Sequence, residues 1–224
     1  MTAVELQIEF NRLFEQVYRM PDSERLNPYD TEGLLNKAQD QMLYDKFLSY
    51  NTPYENVVAL NRSYDEISEL ITVHTGATLT TAESGYGDNA KKIESLPSDY
   101  LYYVRSSSKI DRVTLKPVTD EWTGNNIIGL DSLIKTISGA GNYPIIIHPL
   151  VYLAGQNIYV IYDGFTTVKD FNLMYLKQPQ QLDLSADNEC ELPGHWHYDL
   201  ADYAIRLHLG QRKVEAKKES DERS

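Results

Sequence analysis

Apolar residues in the first third of the chain recur at helical intervals. Leu6, Phe10, Leu13, Phe14 and Val17 fall on one stripe, and Pro21 ends it. After the polar stretch PDSERLNPYD, a second stripe begins at about Thr31 with Leu34, Leu35, Ala38 and Met42. The stretch NTPYE then carries a helix-start signature. Thr52 is the cap, Pro53 takes the first helical position and Glu55 completes a capping box. Val57, Leu60, Tyr64, Ile67 and Ile71 follow at alternating spacings of three and four, a narrow seam suited to packing on another helix. Gly76 is the natural stop.

Residues 75–95 lack periodicity and are rich in Thr, Gly and Ser, which predicts a long loop, and a loop of that length is functional or mobile. From Leu96 the composition turns to β. DYLYYVR, IDRVTLKPVT, YPIIIHPLVYLA, NIYVIY and FTTVKDFNLMYLKQP are the strand candidates, with LDSLIKTIS as a short helix among them. Gln156-Asn157 and Asp163-Gly164 are turn signals, the second a two-residue hairpin turn. The expected fold class is α+β. Residues 1–74 and 192–216 form a helical bundle, 75–95 a loop, 96–185 an inserted antiparallel β-rich sheet or sandwich, and 217–224 a charged tail.

The closing segment CELPGHWHYDL raises the question of a metal. Its continuation reads as a helix: Trp196, Leu200, Tyr203 and Leu207 make one stripe, and His197, Ala201, Ala204, Ile205 and His208 a second. On a helix His195 and His197 stand about 200° apart around the axis. His197 and His208 share a face but lie about 16 Å apart along it. Neither spacing is that of a helical zinc pair, and the lone Cys190 adds little. The expectation is no metal or cofactor site, with these histidines packed near a helix start.

Other chemistry is thin. There is no phosphate-binding Gly-x-x-x-x-Gly-Lys loop and no Gly-x-Ser-x-Gly elbow. The Gly-x-Gly runs in GYGDNAKK and GAGNYP do not sit between a strand and a helix. Asp65-Glu66 and Asp120-Glu121 read as solvated surface. No catalytic residue is assigned and no enzyme is expected.

Composition narrows the partners. Apolar residues at 42% and charged residues at 24% describe a globular chain. A net charge of -12 disfavours a nucleic-acid-coating surface. The cationic cluster Arg212, Lys213, Lys217 and Lys218 is interleaved with Glu215, Glu219, Asp221 and Glu222, so it reads as a solvated helix end. One cysteine excludes an internal disulfide framework. Glu5 and Glu9 interrupt the N-terminal apolar residues, which therefore read as an amphipathic helix and not a signal peptide. No apolar run is long enough to span a membrane. The 17 tyrosines suit either a Tyr-rich β core or surfaces buried against partners.

The segments FNRLFEQV, YDTEGLLNKAQDQMLYDKF, YENVVALNRSYDEISELI, LPSDYLYYVR, MYLKQPQQLDL and CELPGHWHYDLADYAIRL come in that order. This succession resembles the virion neck proteins of tailed bacteriophages, in particular the head–tail connector or ring proteins of crAss-like phages. The Tyr-Leu-Lys-x-Pro run entering Leu-Asp-Leu, and the Leu-Pro-x-x-x-His opening of the last helix with His197 as the matching histidine, carry most of it. Gly194 and Trp196 depart from the polar helix formers of that pattern.

The resemblance implies a structural protein without a catalytic site or cofactor, made in the bacterial host cytoplasm and located in the neck of the virion. It implies a homo-oligomeric ring, commonly a dodecamer, below the portal. Its partners are further copies of itself, the portal protein and other neck and tail proteins. Genomic DNA passes through the channel without sequence-specific binding, and acidic side chains lining that channel would repel its phosphates. Tyr64, Ile71, Trp196, His197 and Tyr203 are the candidate subunit-interface residues. An alternative from the residues themselves is a monomeric ligand- or carbohydrate-binding module using Trp122, Tyr143 and Tyr152. A third is a metal-dependent hydrolase using His195, His197 and an acidic partner.

Overall fold

A computed structural model describes residues 1–16, 26–50, 67–83, 89–113, 117–129, 148–155 and 157–222. The chain is mixed α+β and divides into two compact units, Met1–Leu70 with Pro179–Ser224, and Ile71–Gln178. The boundaries differ from the expected ones at both ends of the insertion. Ile71–His74 belongs with the β unit, and residues 179–191 belong with the helical one.

The helical unit contains α1 (Ala3–Gln16), α2 (Pro28–Tyr50) and α3 (His197–Glu222). Thr2 starts α1 through a reciprocal capping box: the Glu5 N–H donates to Thr2 Oγ1 at 3.3 Å and the Thr2 N–H to Glu5 Oε2 at 3.0 Å. Leu6, Phe10 and Phe14 of the expected stripe are buried, and the Phe10 and Phe14 rings stack at 5.8 Å. The second helix begins three residues before the expected Thr31. Asn27 caps it, accepting the Asp30 N–H at 2.8 Å, and Pro28 takes the first helical position. That is the same cap-then-proline signal as in NTPYE, here hidden inside a stretch read as loop. The capped helix expected from Thr52, with Tyr64 on its seam, lies outside the described residues up to residue 66.

α3 packs against both α1 and α2, which explains its wide apolar face. Leu200, Ala201, Ala204 and Ile205 are all fully buried. The helix continues to Glu222, so the expected tail from 217 is helical over most of its length.

The β unit holds two sheets. The first has the order β1 (Ile71–His74), β9 (Thr166–Lys177), β4 (Tyr100–Arg112), β5 (Val118–Gly124). The second has the order β2 (Leu79–Thr81), β3 (Ala90–Ile93), β8 (Asn157–Ile161), β7 (Leu150–Ala154), β6 (Asn126–Ile127). Their inner faces share one core, built from Ile110, Phe171 and Leu173 of the first and Ile93, Val151 and Val160 of the second.

Several expectations are corrected here. Ile71 is not the last position of a helical seam but the first residue of β1, paired with Leu176. Gly76, at φ 67°, turns the chain after that strand and gives its N–H to Asn172 Oδ1 at 3.1 Å. The expected loop 75–95 contains β2 and β3. Both strands are short: β2 pairs only with β3, and β3 is held on its other side by β8, far along the chain, so the local pattern announces them weakly. Asp163-Gly164 is not a hairpin turn: β8 and β9 lie in different sheets, and the turn carries the chain from one to the other. The Phe165 N–H bonds Asp163 Oδ1 at 3.1 Å and the Thr166 N–H bonds Asp163 O at 3.2 Å. The other expected turn signal fares better: a tight hairpin joins β7 to β8, where Ala154 pairs with Asn157 and Gly155 takes φ 60°. The sheets are antiparallel except for β6 and β7, which pair in parallel. Residues 128–149 between them are long enough for the crossover that parallel pairing needs. The expected helix LDSLIKTIS falls within that connection, outside the described residues.

β4 and β9 pair along nearly their whole length, with register shifts at Tyr100/Tyr102, Tyr103/Arg105 and Lys109/Ile110. At the last of these, Asp170 pairs with Lys109 and Val168 with Ile110, leaving Lys169 as the extra residue of a bulge. The break explains why the inward residues of β9 step from Val168 to Phe171 and then by twos through Leu173 to Tyr175.

Candidate functional site

The start of α3 places the two histidines in different surroundings. His197 is 6% exposed. Its Nε2 lies 2.9 Å from Leu192 O, and its Nδ1 lies 3.1 Å from the Met1 main-chain nitrogen. A carbonyl only accepts, so Nε2 carries the proton and Nδ1 is the acceptor. Burial pushes the imidazole pKa below its ordinary value and keeps the ring neutral. His195 points elsewhere: it is exposed and meets the edge of Trp196, with ring centroids 5.8 Å apart. Cys190 is buried near Gln39, and burial pushes its thiol pKa up, away from the reactive thiolate. Among the described residues no group of three or more His, Cys, Asp or Glu side chains is placed to hold a metal ion.

The polar groups of this unit tie the chain to itself. The Ala3 N–H bonds Asn188 O at 2.8 Å and the Cys190 N–H bonds Met1 O at 3.0 Å, so the first residues lie along segment 187–190. α2 presents Glu32, Asn36 and Gln39 at spacings of four and three, one helical face. These three side chains bond the backbone of Leu184, Leu182 and Gln180 in turn. A helix face thus holds an extended segment at every second residue. Sequence reasoning missed this site; its one signal was a polar triplet at helical spacing.

The expected interface residues have different fates. Tyr64 lies outside the described residues. Ile71 is half-buried within a sheet. Trp196 is 1% exposed and fills the core of its own unit, with Lys46 Nζ 5.3 Å from the ring centroid. Trp196 and His197 therefore offer a neighbour no surface, because an apolar ring at a helix start is buried first by the helices beside it. Tyr203 is half-buried and its hydroxyl donates to Asp45 Oδ2 at 2.7 Å, joining α3 to α2. Among the described residues of this unit the exposed large apolar ones are Ile8, Tyr29, Tyr44 and Tyr198.

The aromatic trio of the binding-module alternative is not assembled among the described residues. Trp122 is half-exposed on β5 of the first sheet, Tyr152 lies on β7 of the second against Tyr159, and Tyr143 is outside the described residues.

The β unit has its own concavity. On the face of the first sheet turned away from the core, Val73, Met174 and Arg105 form one cross-strand row, and Asn172, Ser107 and Gly124 the next. Together they line a cleft of about 270 Å³. Ser106 is also in its wall, its hydroxyl within 2.9 Å of both Tyr103 Oη and Asn125 Nδ2.

In comparisons with known proteins, no family model matches the chain and no curated protein does. Among the described residues no helix is long and apolar enough to cross a membrane.

Proposed function

We propose that this chain is a structural virion protein of a tailed bacteriophage. It is the subunit of a ring in the head–tail connector below the portal, forming part of the DNA channel and joining capsid to tail. The observation that carries the reading is the ordered succession of segments from FNRLFEQV to CELPGHWHYDLADYAIRL. The use of side chains supports it: His197, Asn36, Glu32 and Gln39 are all spent holding main chain in place. In this reading α1, α2 and α3 are part of a helical bundle that packs between neighbouring copies. The exposed Ile8, Tyr29, Tyr44 and Tyr198 then supply apolar contact area, a role in which aromatic residues are favoured. Tyr203, and Tyr64 from the seam, remain candidates at the rim of that contact. A head-to-tail contact that closes on itself is the symmetry of such a ring.

The test is quantitative mass spectrometry of purified particles. The chain is expected in virions at the stoichiometry of a ring relative to the portal protein. Its presence in infected-cell lysate together with its absence from particles rejects the reading.

A further inference from the structure

The cleft on the first sheet has a one-sided chemistry. Among the described residues no acidic side chain lines it. Arg105 donates through Nε to the thioether of Met174 at 3.2 Å, a weak acceptor that carries no charge. Among the described residues Arg105 takes part in no ion pair, in a chain with 33 acidic and 21 basic residues. Asn172 has its carbonyl oxygen occupied by the Gly76 N–H at 3.1 Å, so its amide offers the cleft its NH₂ donors. Ser107 adds a hydroxyl. Gly124 leaves the end of the second row open, since a Cβ built there meets nothing within 4 Å. Val73 and Met174 form an apolar wall beside these donors, and Val73 is 49% exposed.

We propose that this cleft is a binding site for a carboxylate on a short aliphatic stem. The guanidinium of Arg105 pairs with the carboxylate, Asn172 and Ser107 complete its hydrogen bonds, and the stem lies on Val73 and Met174. One guanidinium without a lysine balances a single negative charge and matches a planar carboxylate better than a phosphate dianion. The space suits a group of side-chain size and falls short of the 300–1,000 Å³ or so of a drug-sized pocket. The carboxylate has two possible sources, a free small acid or an acidic side chain of a second copy. The site does not rest on the ring reading: absence of the chain from virions leaves it standing.

The test uses the full chain labelled with ¹⁵N, titrated with butyrate and, as the uncharged control, butyramide. Butyrate is expected to give saturable shifts at the Ser107, Gly124 and Asn172 amides, and butyramide none. Arg105→Gln is expected to weaken butyrate binding about tenfold or more, the loss of a charge-assisted pair. Gly124→Phe fills the cleft and is expected to abolish binding with an unchanged unfolding midpoint. If Gly124→Phe does not fold, Arg105→Gln decides alone, because this guanidinium has no structural ion pair to lose. Sedimentation velocity separates the sources. Self-association that weakens in Arg105→Gln and on adding butyrate assigns the carboxylate to a second copy. Unchanged sedimentation with intact butyrate shifts assigns it to a free acid. Lack of saturable shifts, an equal response to butyramide, or full affinity in Arg105→Gln overturns the site.

Discussion

Asn36 grips Leu182 by both polar groups of its backbone. The carboxamide nitrogen donates to Leu182 O at 2.9 Å, and the carboxamide oxygen accepts the Leu182 N–H at 2.7 Å. The side chain does for residue 182 what a neighbouring strand would do, and Leu182 is left with its own side chain fully buried. Glu32 and Gln39 repeat the bond one turn to either side. A segment with no ladder of its own is thereby satisfied by a helix, as buried backbone requires.

This pairing is the first prediction. Asn36→Ala removes a donor and an acceptor at once and strands both groups of Leu182. The expected cost is about 2–4 kcal/mol, from two lost bonds at about 1–2 kcal/mol each. Asn36→Asp keeps the acceptor but sets a carboxylate oxygen against Leu182 O, so it is expected to recover little of the alanine loss. Urea unfolding of the three chains checks the order. Equal midpoints for wild type and Asn36→Ala would show that segment 180–184 is held by its apolar residues alone.

His197 gives a pH dependence. Burial lowers its pKa in the folded chain, so the unfolded chain takes up the proton first. The stability contributed by the neutral ring is therefore complete above about pH 6.5, the unfolded value. It is lost as pH falls through the depressed folded value. The hydrogen bond to Leu192 O and the charges of Glu69 and Glu5 soften the shift without reversing it, and the Met1 ammonium adds to it. His197→Gln keeps a donor for Leu192 O and removes the titration. Wild type is expected to lose more stability than His197→Gln between pH 7 and pH 5, though the variant starts lower. Unfolding curves at both pH values measure the difference, and parallel losses in the two chains would sink the assignment.

Trp196 separates a core role from an interface role. Its ring is fully buried, and its indole N–H has no hydrogen-bond partner among the described residues. Trp196→Ala is expected to destabilise the isolated subunit by about 3–5 kcal/mol, as for a large buried aromatic. Trp196→Phe is expected to cost markedly less, since it also removes the unpaired polar group. A residue reserved for a neighbouring copy would behave differently, leaving subunit stability intact and impairing only assembly. Denaturant titration of dilute protein, beside sedimentation, reads both quantities.

What could be read in advance follows from where the deciding contacts lie. The stripe Leu6, Phe10, Phe14 is local and its burial follows from spacing alone. The stripes of α3 were equally plain, and the wide face they make together is filled by two helices. Ile67 and Ile71 continue a helical spacing just as well, yet Ile71 is in a strand, because Leu176 supplies its backbone partners from more than a hundred residues away. Asp163-Gly164 has the composition of a hairpin turn, but no turn chooses which strands pair. β8 is captured by β3 and β7, and β9 by β1 and β4. The cleft was invisible for the same reason. Val73, Met174 and Arg105 are neighbours only through a three-strand register.

The double irregularity at the C-terminal end of β4 yields the last prediction. Asp120 stands at φ 56° inside β5, while Lys169 bulges from β9 on the other side of β4. The Asp120 N–H donates to Asp111 Oδ1 at 2.8 Å, and its own carboxylate meets Lys169 Nζ at 3.0 Å and Lys109 Nζ at 3.5 Å. Lys169 also pairs with Asp111, and these hydrogen bonds hold both carboxyls below the ordinary carboxylate range. The ion pairs are open to solvent and so are screened by salt. The backbone requirement is not screened. Asparagine and glycine enter the left-handed region readily, whereas a β-branched residue resists it. Asp120→Asn is therefore expected to lower the thermal midpoint slightly at low salt and not at all at about 1 M salt, where charge is screened within a few ångströms. Asp120→Val is expected to lower it clearly at both. The kink also bends an exposed edge strand away from regular pairing, a common protection against edge-to-edge association. Asp120→Val is thus expected to aggregate sooner on heating, followed by light scattering. A valine variant that matches the asparagine one in midpoint and scattering at both salt concentrations would mean that β5 can straighten at no cost.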